Sequence, residues 1–368
     1  MKVFKLDFFS ASCWQQTLIR TWLSRGPLAY LLLPLSLVFA VLTRIRACFY
    51  RWSWRPVYRV NVPVIVVGNL IAGGAGKTPT VLALALLLKA WGWNVGIISR
   101  GHGGRVKSPQ EVLPESPARD VGDEPLLLRR RAQVPVMVGR QRVFAAQQLL
   151  ALHPEINLII SDDGLQHTAL YRDIQILVFD DRGCGNGWLL PAGPLREPFR
   201  RQPPPRTLVV YNSPQPSTSW PGHLGSRYLA GALPWSQWKS GATPSVQALQ
   251  ILAQRSQQET LWAVAGIAQP SRFFHLLEDS GIRFFGLPLA DHYNFAHGPM
   301  WPMGSVVLMT EKDAVKLTDD IIQQSEVWVV PLNFQFDAQF EAALLFLLNK
   351  LSLHSPFRPL SAHGTSIA

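Results

Sequence analysis

The chain is built from short unbroken apolar runs separated by longer helical or polar stretches. Residues 62–69 (VPVIVVGN) are continuous and rich in β-branched side chains, which predicts a strand buried on both faces. Residues 80–91 (TVLALALLLKAW) contain no breaker and predict a helix. The same alternation continues with a strand in 94–104 that ends in a glycine-rich loop, and then a polar, proline-rich loop over 105–122. The helix GDEPLLLRRRAQ follows, with acids in its first turn, where the helix dipole favours them. Strands are predicted at 134–139, 156–164 and 173–180, with a helix over 142–153. Strands that are apolar throughout and alternate with helices predict a parallel sheet covered on both faces. Prolines break the pattern at 195–206, and a second α/β unit begins near residue 260 and ends in a helix over 337–352.

The first strand runs into the glycine-rich turn GGAGKT and is preceded by an uncharged apolar run at 26–43, so the expected architecture is α/β: a P-loop NTPase-type parallel sheet with helices on both faces, an N-terminal membrane-associated helix and a second, smaller α/β domain. The expected divisions are an N-terminal anchoring segment over 1–59, a P-loop core over 60–205, a second domain with its closing helix over 206–353, and a disordered tail over 354–368.

Charge sharpens the reading of the N-terminus. The 368-residue chain carries a formal +11, yet residues 1–60 hold nine Lys or Arg and a single acid, Asp7. Between those charges, Gly26 to Thr43 is an uncharged apolar run whose helical length is roughly 27 Å, just short of a hydrocarbon core. Trp14 and Trp22 precede it and FYRWSWRPVYR follows, the aromatic and basic flanks of a membrane interface. A nucleic-acid-binding arm needs no such apolar run, so no nucleic-acid partner is expected. Pro34 favours a kinked or shallow insertion, and the basic residues after the run keep the body of the protein on the cytoplasmic side. Three widely spaced cysteines form neither a disulfide framework nor a zinc pattern.

Chemistry enters at GNLIAGGAGKTP. Backbone N–H groups of a glycine-rich turn at a helix N-terminus can surround phosphate oxygens, Lys77 can reach the β- and γ-phosphates, and Thr78 can hold Mg²⁺. The general phosphate-loop pattern wants a glycine where Ile71 stands. Asp162 and Asp163, at the end of an apolar strand, supply the carboxylates such a loop needs near its metal.

The motifs GNLIAGGAGKTP, ISRGHGG, VGDEP, SDDGLQH, PAGPLREP and DHYNF occur in this order, and together they resemble the tetraacyldisaccharide 4′-kinase family, the lipid A 4′-kinases of Gram-negative bacteria. The resemblance runs from the N-terminal segment to about residue 317. It accounts for Ile71, because the family's loop carries a Gly-Asn pair, here Gly68-Asn69, and lacks the extra glycine. It implies ATP and Mg²⁺, with phosphate transfer to the 4′-hydroxyl of a tetraacylated glucosamine disaccharide 1-phosphate. The implied setting is the cytoplasmic face of the bacterial inner membrane, to which a peripheral or monotopic monomer would attach.

The same resemblance implies nucleotide contacts from Ile71, Ala72, Gly73, Gly74, Ala75, Gly76, Lys77, Thr78, Asp163, His167 and Arg196. It implies Mg²⁺ ligands from Thr78, Asp162 and Glu197, and a catalytic dyad of Asp123 and His292. A sugar hydroxyl is a very weak acid, so a base must take its proton as the new bond forms. Which member of the dyad touches the hydroxyl is left open, as is whether Glu311, Lys312 and Asp313 bind the base of the nucleotide or join domains. His102 and Leu165 depart from the tyrosine and phenylalanine common in the family, and Arg100 is a candidate phosphate or lipid contact or a structural residue. A membrane-associated ATPase or GTPase that uses water as acceptor is the competing reading of the same loop.

Overall fold

The computed structural model describes residues 11–352 except 53, 297, 323 and 324; the tail expected to be disordered lies outside the described residues. Nine strands form the larger sheet in the order Leu332–Phe336, His223–Leu229, Thr207–Tyr211, Ile174–Phe179, Val64–Gly68, Leu158–Asp162, Val95–Ser99, Val136–Val138 and Gln110–Glu111. The pairs are parallel from His223–Leu229 across to Val136–Val138, and antiparallel at both edges. A five-stranded sheet has the order Phe285–Pro288, Leu261–Ala265, Val306–Met309, Glu326–Val329 and Leu233–Pro234, parallel except at the last pair.

The apolar runs are the reason for this arrangement. Every residue of Val64–Gly68 and of Leu158–Asp162 is buried, as both faces of the central strands are covered. Each fully buried Val, Ile or Leu contributes roughly 1.5–3 kcal/mol of transfer free energy. Chain order reverses around Val64–Gly68: the chain first places Val95–Ser99 to one side, then returns Leu158–Asp162 between them and puts Ile174–Phe179 on the other side. Ligands bind at the carboxyl ends of strands at such a switch point.

The expected boundary at 205/206 falls inside the large sheet. Thr207–Tyr211 and His223–Leu229 extend it, and Leu332–Phe336 returns from the C-terminal side to pair with His223–Leu229. His223–Leu229 alternates in burial and Leu332–Phe336 carries polar residues among its apolar ones, so neither has the continuous apolar signature of the centre, whereas Thr207–Tyr211 is buried after its first residue. The expected loop over 105–122 also contains the edge strand Gln110–Glu111 and the one-turn helix Ala118–Val121.

At the N-terminus the helix Pro27–Arg51 continues through Pro34 and beyond the apolar run, preceded by a helix, Ala11–Leu23, that the sequence pattern does not announce. By length and composition Pro27–Tyr50 could cross a membrane. One face of it docks on the body: Ala29 and Ser36 are buried, while Leu31, Leu35, Val38 and Leu42, at helical spacing, are exposed. The docking is polar. Ser36 Oγ donates to Leu189 O (2.9 Å) and accepts from Ala192 N (2.9 Å), and Trp22 Nε1 donates to Pro191 O (2.9 Å). Asn186 Nδ2 donates to Thr21 O (3.1 Å), and Arg46 donates to Gln166 O (2.8 Å).

Candidate active site

The helix Lys77–Ala90 begins three residues earlier than the pattern suggests, so Lys77 and Thr78 lie in its first turn. Pro79 costs little there, because first-turn N–H groups have no intrahelical acceptor. Gly76 precedes the helix with φ 89°, and a Cβ at that position would lie 1.9 Å from Arg227 Nη2 and 2.3 Å from Asn212 Nδ2. Glycine is required both by the backbone and by the space. Among the described residues the N–H groups of Gly73, Gly74, Ala75 and Gly76 have no protein acceptor. The turn is braced from outside by Arg182 to Gly74 O (3.0 Å), Asn212 to Ala75 O (3.0 Å) and Asn69 to Gly73 O (3.1 Å).

Two of the expected nucleotide contacts, Ile71 and Ala72, have partners within the protein. Ile71 is fully buried and bridges to Leu195, and the N–H of Ala72 donates to Pro194 O (2.8 Å). The segment before Gly73 is thus hydrogen-bonded to the 194–196 loop, and the unpaired N–H groups begin at Gly73. Lys77 Nζ donates to Asn69 Oδ1 (3.1 Å) and lies 3.6 Å from Asp163, whose other cationic neighbour is Arg196, also at 3.6 Å.

Asp162 ends its strand level with Val67 of the loop-bearing strand. Ser99 donates to its Oδ2 (3.0 Å), while Oδ1 is buried without a partner. Burial first, then Glu124 and Asp163, pushes this carboxyl up to about 7. Below Asp162, the buried Arg142 donates to Asp162 O (3.0 Å) and Gly139 O (2.8 Å), and its backbone N–H donates to His167 Nε2 (3.3 Å). Burial and the cations Arg142, Arg46, Arg172 and Arg100 hold His167 down to about 4. Glu197 sits among cations, with burial raising its carboxyl against the pull of Arg172 and Arg200.

Asp123 opens the helix Asp123–Ala132 directly after Gly122, which has φ 93°. His292 lies in the loop after Phe285–Pro288 of the smaller sheet and adopts φ 62°, with its N–H donating to Gly266 O (3.3 Å). His292 Nδ1 is 2.8 Å from Asp123 Oδ2 and 3.1 Å from Oδ1. Burial would raise the Asp123 carboxyl, but the hydrogen bond from His292 together with Lys312 and Lys316 holds it below its ordinary value. The same bond raises His292, against burial and Lys312. The His102 ring stands edge-on to His292 with centroids 5.5 Å apart.

The segment Glu311–Asp313, ambiguous in sequence, divides its labour. Glu311 is buried against Arg131, from the large sheet's helix, and against Trp238. Asp313 accepts from Gly266 N (2.9 Å) and Thr310 Oγ1 (2.7 Å). Lys312 instead reaches Glu124, Asp291 and His292. Glu124 and Lys312 line one cavity of about 190 Å³ with Gly74, Gly76, Lys77 and Thr78. The sequence names the loop and the dyad, but not Glu124 or Arg227, which line the same space.

Among the described residues no three His, Cys, Asp or Glu side chains cluster as a metal cage. Mg²⁺ in a kinase needs no cage, since one or two carboxylates and the phosphates suffice. The orphaned, buried Asp162 Oδ1 beside the phosphate loop fits such an ion.

A parallel sheet with a phosphate loop at its switch point, a buried carboxylate beside it and an Asp–His pair whose neighbours Glu124 and Lys312 line the loop's cleft define a P-loop phosphotransferase. The tetraacyldisaccharide-1-P 4′-kinase family model matches residues 28–349. The chain belongs to that family. Its relatives named tetraacyldisaccharide 4′-kinase include those of Leptothrix cholodnii, 46% identical over 335 residues covering 89% of this chain and 94% of that one, and Methylibium petroleiphilum, 46% identical over 341 residues covering 91% and 94%. Among solved structures, the apo-form LpxK of Aquifex aeolicus in complex with ATP aligns with a TM-score of 0.71 at 26% identity, covering 88% of this chain and 99% of that one.

Proposed function

We infer that the protein transfers the γ-phosphate of ATP to the 4′-hydroxyl of a tetraacylated glucosamine disaccharide 1-phosphate, a step of lipid A synthesis. The observation that carries this reading is the shared cavity: Lys77 and Thr78 of the phosphate loop face Glu124 and Lys312, the immediate neighbours of the Asp123–His292 pair. A nucleotide-hydrolysing switch needs the loop but has no use for an Asp–His base assembled from two sheets.

The backbone N–H groups of Gly73 to Gly76 and the Lys77 ammonium hold the phosphates. Thr78 and Asp162 would hold Mg²⁺, which when bound offsets charge on the β- and γ-phosphate oxygens. Glu197, the other expected ligand, faces Arg172 and Arg200 and supports that role less directly. As the 4′-oxygen bonds to phosphorus, the β–γ bridging bond breaks, its electron pair stays on ADP, and the hydroxyl proton passes to the dyad. Both ring nitrogens of His292 are engaged, by Asp123 and Lys312. Asp123 accepts from His292 and from Glu124 N (2.9 Å), and a carboxylate has about four lone-pair sites. Asp123 is therefore the member with room for the hydroxyl.

The acceptor's acyl chains cannot be drawn into water, since each CH₂ is worth ~0.8 kcal/mol in lipid. The exposed apolar face of Pro27–Arg51 and the basic residues around it support monotopic attachment to the cytoplasmic face of the inner membrane. The test is transfer of labelled γ-phosphate to the disaccharide lipid in mixed micelles. Label that appears in the lipid only when Mg²⁺ and active protein are present is the expected result. Equally fast release of phosphate to water without lipid would overturn the reading.

A further inference from the structure

We propose that Lys312 is a positioning residue for phosphoryl transfer: its ammonium selects the His292 tautomer that donates to Asp123 and ties the two sheets' contributions into one base. The proposal rests on the dyad reading above.

A lysine ammonium has three N–H groups and no lone pair. Lys312 Nζ has three acceptors within reach: Glu124 Oε1 at 2.9 Å, Asp291 Oδ1 at 2.9 Å and His292 Nε2 at 3.4 Å. Because Lys312 can only donate, a bond along this contact requires the lone pair on Nε2 and puts the ring hydrogen on Nδ1. That hydrogen points to Asp123 Oδ2 at 2.8 Å. Without Lys312 the ring could take the other tautomer, or a second proton on Nε2, with Asp291 Oδ2 at 3.9 Å to receive it. Either state weakens the Asp123 carboxylate as a base.

The lysine is itself held. Its side chain is only 15% exposed, on the one-turn helix Glu311–Ala314. Glu311 fastens that turn to Arg131 and Trp238, and Asp313 fastens it to Gly266, Thr310 and Lys316. Glu124 comes from the large sheet's helix, Asp291 and His292 from the smaller sheet's loop, so the lysine spans the join between them. The charged and titratable groups around the pair are Glu124, Asp291, Lys312, Asp313, Lys316 and His102. Of the two cations, Lys312 is the one in contact with the ring.

The test compares wild type, Lys312→Met and Lys312→Arg by the pH dependence of turnover. Lys312→Met is expected to lower kcat roughly 10- to 100-fold, less than the ~10²- to 10⁴-fold that a general base supplies, because the base is weakened and not removed. The KM for ATP should stay within about two-fold, and the acidic limb should move up by about one pH unit, since a nearby positive charge disfavours protonation. Lys312→Arg, which keeps the charge and donors, should return the limb to the wild-type position. A wild-type limb in Lys312→Met, or a loss confined to the KM for ATP, overturns the proposal. Asp123→Asn and His292→Gln separate the two readings: near-full turnover in either removes the dyad itself, whereas their loss beside an unshifted Lys312→Met removes only the role of the lysine. Nitrogen-15 spectra of the histidine rings in the unmodified protein give an answer independent of any variant's folding. A protonated Nδ1 and bare Nε2 at His292 are expected, and the reverse overturns the assignment.

Discussion

His292 Nδ1 lies 2.8 Å from Asp123 Oδ2, joining residues 169 positions apart and mounted on different sheets. The contact exists only when the smaller sheet is seated on the larger one, so base and fold are assembled together. Asp123→Ala and His292→Ala are each expected to reduce turnover by about 10²-fold or more, the contribution of a positioned base. ATP affinity, measured by displacement of a fluorescent nucleotide, should change little. A comparable loss in affinity would mean the pair serves nucleotide binding.

Ser99 holds one oxygen of Asp162 and leaves the other, buried, for a cation. Removing a group that orients a metal ligand costs about 10- to 100-fold, and excess metal offsets part of it. Ser99→Ala should therefore recover activity as Mg²⁺ is raised, whereas Asp162→Ala should not. Titrating Mg²⁺ against initial rate for both variants distinguishes them, and identical responses would count against Asp162 as a ligand.

His167 remains neutral in the folded protein down to about pH 4, because of burial and the surrounding arginines. Unfolded, it takes a proton near its ordinary pKa of about 6.5. Between those values the unfolded chain binds more protons, so stability falls as pH falls, and the contribution is complete above 6.5. Urea midpoints at pH 7.5 and 4.5 should differ less in His167→Gln than in wild type. Equal losses would show that the imidazole is not a source of acid sensitivity.

Leu31, Leu35 and Leu42 lie on the exposed face of Pro27–Arg51, the proposed anchor. Burying a leucine contributes roughly 1.5–3 kcal/mol, so replacing all three with Ser should weaken vesicle binding at least ten-fold. Activity on lipid dispersed in detergent should survive. Unchanged co-flotation with vesicles would mean that another surface makes the attachment.

The central strands and the phosphate loop were legible because their signals are local: a β-branched run, three glycines, a lysine and a helix. The outer strands were not, since His223–Leu229 alternates in burial and includes Gly225, Ser226 and Arg227. Asp123 and His292 could be read only from the order of the motifs, because no periodicity links positions so far apart. The roles within Glu311–Asp313 stayed ambiguous for the same reason: what separates three adjacent charges is partners such as Arg131, 180 positions away. The backbone bond from Ala72 to Pro194 was equally invisible in the sequence, since nothing local announces a partner so far along the chain.

The bonds from Ser36 and Trp22 to the 189–192 loop tie the proposed anchor to the body that carries the cleft. An enzyme fixed in this way searches in two dimensions. Its rate should follow the mole fraction of acceptor in the surface, falling when inert lipid is added to the same vesicles and holding steady when the vesicles themselves are diluted.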